Sequence, residues 1–208
     1  MTESQSRKIV IGSLIGATVF VALLSLLLLT SKDLPSSTLG GEDGKLGGEF
    51  TLQGLEGDVS LSDFRGKVVM LYFGFTHCQE VCPLSMAVIR NTLLKMEPQE
   101  LAQTQVIMVS FDPERDTLEA LDEYGKEYHA NIIGVTGSEQ QIEDVINDYG
   151  AFYRLDSSEL TEAEQNDQDY AFRHSSRYYI IDQQGELVDA MRHSSTANEL
   201  VAKIRTLI

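Results

Sequence analysis

A long run of apolar residues near the N-terminus limits what this chain can fold into. Residues 9–29 contain no charged side chain, and a helix of that length covers roughly 30 Å, the thickness of the hydrocarbon core of a bilayer. We therefore predict a transmembrane helix over residues 9–30, because a cleaved signal peptide usually has a shorter apolar region followed by a small-residue cleavage site. Arg7 and Lys8 precede the run, and basic residues favour the cytoplasmic side. The short N-terminus, residues 1–8, is then cytoplasmic, and everything after the helix lies across the membrane.

The charge of the chain is unevenly distributed. The whole sequence has 16 basic and 32 acidic residues, a net charge of −16. Arg7, Lys8 and Lys32 flank the apolar run together with the single acid Glu3, so residues 33–208 carry a net charge of −18. Phosphate groups would repel such a surface, which argues against nucleic acid or an anionic membrane surface as the main partner. We expect an acidic surface of this kind to dock on basic patches of a protein partner.

The part of the chain beyond the apolar run divides into a linker and one domain. Residues 31–48 are rich in Gly, Ser and acidic side chains, which predicts a flexible linker. Residues 49–208 contain strand-like and helix-like segments in alternation and end in a hairpin and a helix, which predicts an α/β domain with a mixed central sheet and an N-terminal hairpin. We interpret the acidic stretch 156–169 as a surface insertion or a short helix.

Two continuous apolar runs, residues 68–75 and 106–111, predict strands that are buried on both faces. A third short strand is predicted at residues 132–135. The predicted helices cover residues 84–96, the segment from about 117 to 128, residues 139–149 after a capping box at Ser138 and Gln141, and a C-terminal segment capped by Ser195 or Thr196. The predicted hairpins are at residues 50–61 and at residues 178–192.

Two cysteines stand at the junction between the first buried strand and the helix after it. Cys78 and Cys82 are four residues apart, so both sulfur atoms can face one point near a helix N-terminus. The partial positive charge at that end of a helix favours thiolate chemistry. The spacing alone leaves three interpretations open, namely a structural disulfide, a redox-active dithiol, and two ligands for a soft metal such as Cu(I), zinc or an iron–sulfur centre.

Four histidines could supply a further ligand. His77 adjoins Cys78, but neighbouring side chains in an extended segment point to opposite faces. His129 ends a predicted helix and His193 follows a strand at a turn, so neither is favoured. His174 directly precedes a predicted strand that would lie beside the Cys78 strand in a thioredoxin-like sheet, which makes it the strongest functional candidate of the four.

Three segments of the sequence resemble the Sco/SenC family, the membrane-tethered copper proteins of cytochrome c oxidase assembly. They are residues 71–83 (LYFGFTHCQEVCP), residues 109–117 (VSFDPERDT) and residues 174–182 (HSSRYYIID), in that order. The resemblance implies a thioredoxin-like fold and one copper ion, Cu(I) or Cu(II), bound by Cys78, Cys82 and His174. The sequence departs from the family pattern at Gln79 and Glu80, where relatives often have Pro and Asp.

The resemblance also implies a function, a partner and a location. The function is that of a copper chaperone rather than an enzyme, and the partner is the copper-binding subunit of cytochrome c oxidase or a related copper protein. The location is the bacterial inner membrane, with a single span and a periplasmic C-terminal domain. The alternative function is a thiol-disulfide oxidoreductase that keeps the copper-ligand cysteines of a target reduced, and a peroxidase-like use of one cysteine is less favoured. For residues 112–117 we favour a turn that starts a helix over a functional role.

Overall fold

The structure, a computed structural model, describes residues 45–151, 153–155, 172–174 and 177–208. The predicted segments that lie outside these residues are 1–8, the anchor 9–30, most of the linker 31–48 and the acidic stretch 156–169. Within the described part of the chain, no helix has the length and apolar character needed to cross a membrane.

Two fully buried strands form the centre of the sheet. Every residue of β3 (Val68–Gly74) and β4 (Thr104–Ser110) is buried, as the continuous apolar runs predicted. The two strands pair in parallel, with Gly74 opposite Ser110 at their ends. The segments that follow β3 and β4 therefore leave the sheet side by side at one edge, where α/β sheets commonly place their sites.

The remaining strands extend the sheet on both sides of this pair. They are β1 (Thr51–Gly54), β2 (Gly57–Ser60), β5 (Ile132–Thr136), β8 (Arg177–Ile181) and β9 (Leu187–Arg192). The seven strands have the order β2-β1-β5-β4-β3-β8-β9. β5 is parallel to β4, whereas β8 is antiparallel to β3 and β1 is antiparallel to β2. The predicted mixed sheet and N-terminal hairpin are confirmed.

Five α-helices and one 3-10 turn, at Leu61–Phe64, accompany the described strands. The helices are α1 (Val81–Leu93), α2 (Pro98–Ala102), α3 (Leu118–Tyr128), α4 (Glu139–Asp148) and α5 (Ala197–Arg205). The predicted capping residues Ser138 and Thr196 each accept a backbone N–H in the first turn of their helix. α1 begins three residues earlier than predicted, because Pro83 fits in the first turn, where its missing N–H removes no helical hydrogen bond. The short helix α2 was not predicted.

Two short strands form a separate ladder near the start of β8. β6 (Tyr153–Leu155) pairs antiparallel with β7 (Phe172–His174), and Tyr153 lies opposite His174. Since β8 pairs antiparallel with β3, with Tyr178 opposite Tyr72, the start of β8 lies beside the end of β3. His174 is three residues before β8, so its backbone can be at most about 11 Å from that point. The topology thus brings the backbone of His174 to the edge of the sheet from which the cysteine segment departs.

Three aromatic rings pack under this edge and hold strands and helices together. Phe73, Tyr149 and Tyr179 are buried and contact one another edge to face, with ring centroids 5.4 to 6.2 Å apart. Pairs of this kind contribute about 1 kcal/mol each beyond the apolar area that they bury. They join β3 and β8 to the end of α4, so aromatic packing supports the strand that leads into the cysteine segment.

Candidate metal centre

The two cysteines lie together at the N-terminus of α1. Both are thiols, and the backbone N–H of Cys82 donates to the sulfur of Cys78 at 3.4 Å. The residue that precedes the helix, Glu80, provides no side-chain cap, although the first N–H groups of a helix have no partner within it. The Cys78 sulfur therefore acts as the acceptor that a capping side chain would otherwise provide.

The two thiols differ in exposure. Cys82 is fully buried, whereas Cys78 is partly exposed. The hydrogen bond with Cys78 and the burial of the thiol raise the pKa of Cys82 far above its ordinary value. Cys78 is consequently the sulfur that an incoming group meets first, and Cys82 is the sulfur that lies behind it.

Gly74, the last residue of β3, gives the Cys82 sulfur room to lie against the sheet. A Cβ atom at this position would be 3.1 Å from Cys82 Sγ and 2.9 Å from Tyr72 Cε1. Both distances are shorter than ordinary contacts, and both neighbours are fully buried. Only glycine therefore fits here without displacing the sulfur or the tyrosine ring.

A buried carboxylate fixes the segment between β3 and the cysteines. Asp116 has a fully buried side chain and accepts hydrogen bonds from the backbone N–H of Thr76 at 3.1 Å and from Thr76 Oγ1 at 2.5 Å. Ser110 Oγ at the end of β4 donates to the second oxygen at 2.5 Å. Asp116 thus joins the segment after β3 to the segment after β4, two residues before Cys78.

The segment that contains Asp116 also holds a buried ion pair, which lies against the Phe75 ring. Arg115 Nε donates to Asp112 Oδ2 at 2.5 Å, and both side chains are almost completely buried. The guanidinium group lies 5.8 Å from the centroid of the Phe75 ring, which itself packs on Phe111. The Phe75 carbonyl accepts a long hydrogen bond from the Cys78 N–H. Residues 112–117 therefore do more than start α3 at its cap Thr117, and the sequence carried no local signal for this second role.

The histidines occupy different positions around this site. His77 is half exposed, and its Nδ1 atom lies 3.1 Å from Thr76 Oγ1 and 3.4 Å from Asp116 Oδ1. His129 caps the end of α3 and accepts the N–H of Asn131, and burial lowers its pKa. His193 is exposed. The backbone of His174 lies in β7, as described above, and its side chain is outside what the structure describes.

The two sulfur donors fit a soft metal ion. Two adjacent sulfur atoms favour Cu(I), zinc or an iron–sulfur centre over hard cations. Among the side chains of residues 45–151 and 177–208, no three His, Cys, Asp or Glu residues converge on one point.

The chain is similar to proteins of one family in both sequence and structure. The sequence profile of the SCO1/SenC family matches residues 40–208. An SCO2-like protein of Rickettsia prowazekii is 34% identical over 208 residues, covering 96% of each chain. Copper-bound ScoI of Bradyrhizobium japonicum is 29% identical with a TM-score of 0.68 and covers 78% of this chain and 99% of its own. Copper-bound ScoI of Arabidopsis thaliana is 30% identical with a TM-score of 0.67, covering 77% and 96%. The expected thioredoxin-like α/β fold is confirmed.

The Asp116 network predicts a clear loss of stability when the carboxylate is removed. In Asp116→Ala, the N–H and hydroxyl of Thr76 and the hydroxyl of Ser110 lose their acceptor, and we expect the free energy of unfolding to fall by about 3 kcal/mol. Chemical denaturation of the purified protein measures this change. The control is Asp122→Ala, which removes only a surface ion pair with Lys126 and should cost no more than about 0.5 kcal/mol. Equal effects of the two substitutions would contradict this role of Asp116.

The close packing of Cys82 Sγ and the Tyr72 ring around Gly74 predicts a loss of stability in a second variant. The added methyl group of Gly74→Ala presses on Cys82 Sγ and the Tyr72 ring, and overpacking of this kind costs about 1–3 kcal/mol. Gly48→Ala is the matched control, since its Cβ would make only an ordinary contact at 3.4 Å. Thermal unfolding of the two variants tests the difference, and a Gly74→Ala protein as stable as the control would show that the sulfur is not confined.

Proposed function

This chain is a member of the SCO1/SenC family, and from that membership we propose that it is a membrane-anchored copper chaperone. In this proposal one copper ion is its cargo, bound by Cys78, Cys82 and His174. The protein assists assembly of the binuclear copper centre of cytochrome c oxidase, whose copper-binding subunit, or a related copper protein, is the partner.

The observation that carries the proposal is the pair of sulfurs at the start of α1. The Cys82 thiol is hydrogen-bonded to the Cys78 thiol, and the Cys82 N–H also donates to the Cys78 sulfur at 3.4 Å, so the two sulfurs lie close together at the helix start. Two thiolates and one imidazole form a three-coordinate set that suits Cu(I), whereas Cu(II) would favour an additional oxygen ligand in a tetragonal arrangement. Copper-bound relatives of the same fold support copper over zinc.

The unequal exposure of the two thiols suits release of the metal. Cys78 is partly exposed and Cys82 is buried, so a partner ligand can approach the copper from the Cys78 side while Cys82 still holds it. A set of three ligands leaves a coordination position open, which a closed four-ligand site does not. Handing the ion from ligand to ligand avoids releasing it into water.

The proposed membrane arrangement places this site outside the cytoplasm. Residues 9–30 span the bacterial inner membrane once, residues 1–8 stay in the cytoplasm, and residues 31–48 form a flexible linker. The copper-binding domain, residues 49–208, is then periplasmic. The linker would let the domain reach a partner that sits in the same membrane.

A thiol-disulfide oxidoreductase is the second candidate function, and the same difference in exposure favours it. The thiolate of Cys78 would attack a disulfide in the target protein and form a mixed disulfide. Cys82 would then displace the target sulfur, which leaves the target as a dithiol and Cys78–Cys82 as a disulfide. Two electrons and two protons pass to the target, and both thiolate ligands of copper are lost, so copper loading and redox state are coupled.

Copper stoichiometry tests the proposed ligands. The full-length protein, reduced and purified in a non-ionic detergent, should retain about one Cu(I) per chain, and Cys78→Ala and Cys82→Ala should retain almost none because each loses a thiolate. His174→Gln should weaken Cu(I) binding at least about 100-fold, since even outer-shell substitutions at metal sites cost about 10–100-fold. Competition with a chromogenic Cu(I) chelator measures the affinity of the unmodified protein and of each variant.

His193→Gln is the control for the histidine, because His193 is exposed and outside the proposed ligand set. It should bind Cu(I) as tightly as the unmodified protein. Normal copper affinity in His174→Gln, or an equal loss in both histidine variants, would contradict the assignment of His174.

A deletion strain separates the chaperone from the reductase. If the protein delivers copper, added copper should restore oxidase activity to the strain, and His174→Gln should fail to complement it. If the protein reduces a target, a small thiol reductant should restore activity, and His174→Gln should complement fully because both cysteines remain. Oxidase activity of membranes from each strain is the measurement, and full complementation by a copper-deficient variant would exclude delivery as the essential function.

A further inference from the structure

Four of the nine arginines of this acidic chain lie in two cross-strand pairs on either side of His174. In the β6–β7 ladder Arg154 is directly opposite Arg173, and in the main sheet Arg177 is directly opposite Arg192. Arg173 and Arg177 flank His174 in the sequence itself. Arginines therefore flank the proposed third copper ligand in the sequence and pair across the strands on either side of it, in contrast to the net charge of the domain.

Like charges placed directly opposite each other in antiparallel strands are unfavourable. Arg177 and Arg192 are both exposed, and Arg177 donates to the Ala190 carbonyl at 3.1 Å. Among the described residues, no carboxylate pairs with either of them. Arginines elsewhere in the fold do have acidic partners, as in the pairs Arg65–Glu49, Arg115–Asp112 and Arg205–Glu100. The Arg177–Arg192 pair therefore has unused capacity to bind an anion.

The location of this pair links it to the cysteines. Arg177 begins β8, whose antiparallel pairing with β3 brings it to the edge where β3 ends and the cysteine segment starts. Arg192 ends β9 at the same edge, because it lies opposite Arg177. An anionic group bound here would thus be held beside the place where copper is proposed to leave the protein.

We propose that Arg177 and Arg192 form a docking surface for an acidic face of the protein that receives the metal. This proposal rests on the proposed function. Guanidinium groups recognise carboxylates through paired N–H donors, so Asp and Glu side chains of the partner are the groups bound. The cationic edge also orients the encounter, since the domain as a whole is acidic and repels an acidic partner, whereas this edge attracts it.

An anionic membrane surface is the less favoured occupant. A bilayer lying against this edge would cover the exposed side of Cys78 and keep a protein partner from the metal. The net charge of −16 would also repel anionic lipids over the remaining surface. A protein face, which is small enough to meet the cationic edge alone, avoids both difficulties.

Binding of an acidic peptide tests the proposal with the full-length protein in non-ionic detergent. The probe is a fluorescein-labelled oligoglutamate of about ten residues, followed by fluorescence anisotropy, and binding should weaken steeply between about 0.1 M and about 1 M salt as the Debye length falls from about 10 to about 3 Å. Arg177→Gln/Arg192→Gln should weaken binding on the order of tenfold. The matched control is Arg90→Gln/Lys95→Gln, which removes two exposed charges at the far end of α1 and should have less than about a twofold effect.

Each outcome of this experiment decides the proposal. Loss of peptide binding in Arg177→Gln/Arg192→Gln, with peptide binding retained in Arg90→Gln/Lys95→Gln, supports the proposal. Equal loss in both variants, or no salt-dependent binding by the unmodified protein, overturns it. Binding to phosphatidylglycerol vesicles without binding to the peptide overturns it in favour of a lipid. If the peptide binds only after the Asp and Glu residues of 156–169 are changed to Asn and Gln, the arginines bind an acidic segment of the same chain, and the proposal is overturned. Cu(I) per chain, measured on the same samples, reports separately on the proposed function.

Discussion

The parallel pairing of β3 and β4 is the constraint on which the candidate metal centre depends. Because Gly74 lies opposite Ser110, the segments after the two strands leave the sheet together, and Asp116 can reach from one segment to Thr76 in the other. That bond fixes the chain two residues before Cys78, and α1 then starts where the Cys82 N–H meets the Cys78 sulfur. A shift of one residue in this register would exchange the side chains on the two buried faces of a strand and move Ser110 away from Gly74, so the position of the sulfurs is set by the core of the protein.

The sequence allowed much of the fold to be predicted, because its signals are local. Continuous apolar runs identify β3 and β4, and the capping residues Ser138 and Thr196 mark the starts of two helices. The β6–β7 ladder was missed, since three-residue strands separated by a polar stretch have too few residues to show a period. The role of Asp116 was missed for a different reason. Its partners Thr76 and Ser110 are 40 and 6 residues away, and only the pairing of the strands brings them together.

The charge at the arginine-bearing edge of the sheet differs from the charge that the composition of the whole chain leads one to expect. An overall acidic chain leads one to expect acidic contact surfaces, and the expectation from the sequence was docking on basic patches. The strand register instead collects arginines at the edge that carries the cysteines. The arginine pairs at this edge therefore have the opposite sign to the net charge of the domain, which is a property of strand pairing and cannot be obtained by counting residues.

The ligand set is the central claim, and X-ray absorption at the copper edge tests it most directly. For the reduced, full-length protein loaded with Cu(I), we predict a first shell of two sulfur atoms and one nitrogen atom. Replacing His174 by Gln should remove the nitrogen contribution and leave the two sulfurs. A first shell of sulfur alone in the unmodified protein, or a nitrogen contribution that persists in His174→Gln, would contradict the assignment of Cys78, Cys82 and His174 as the copper ligands.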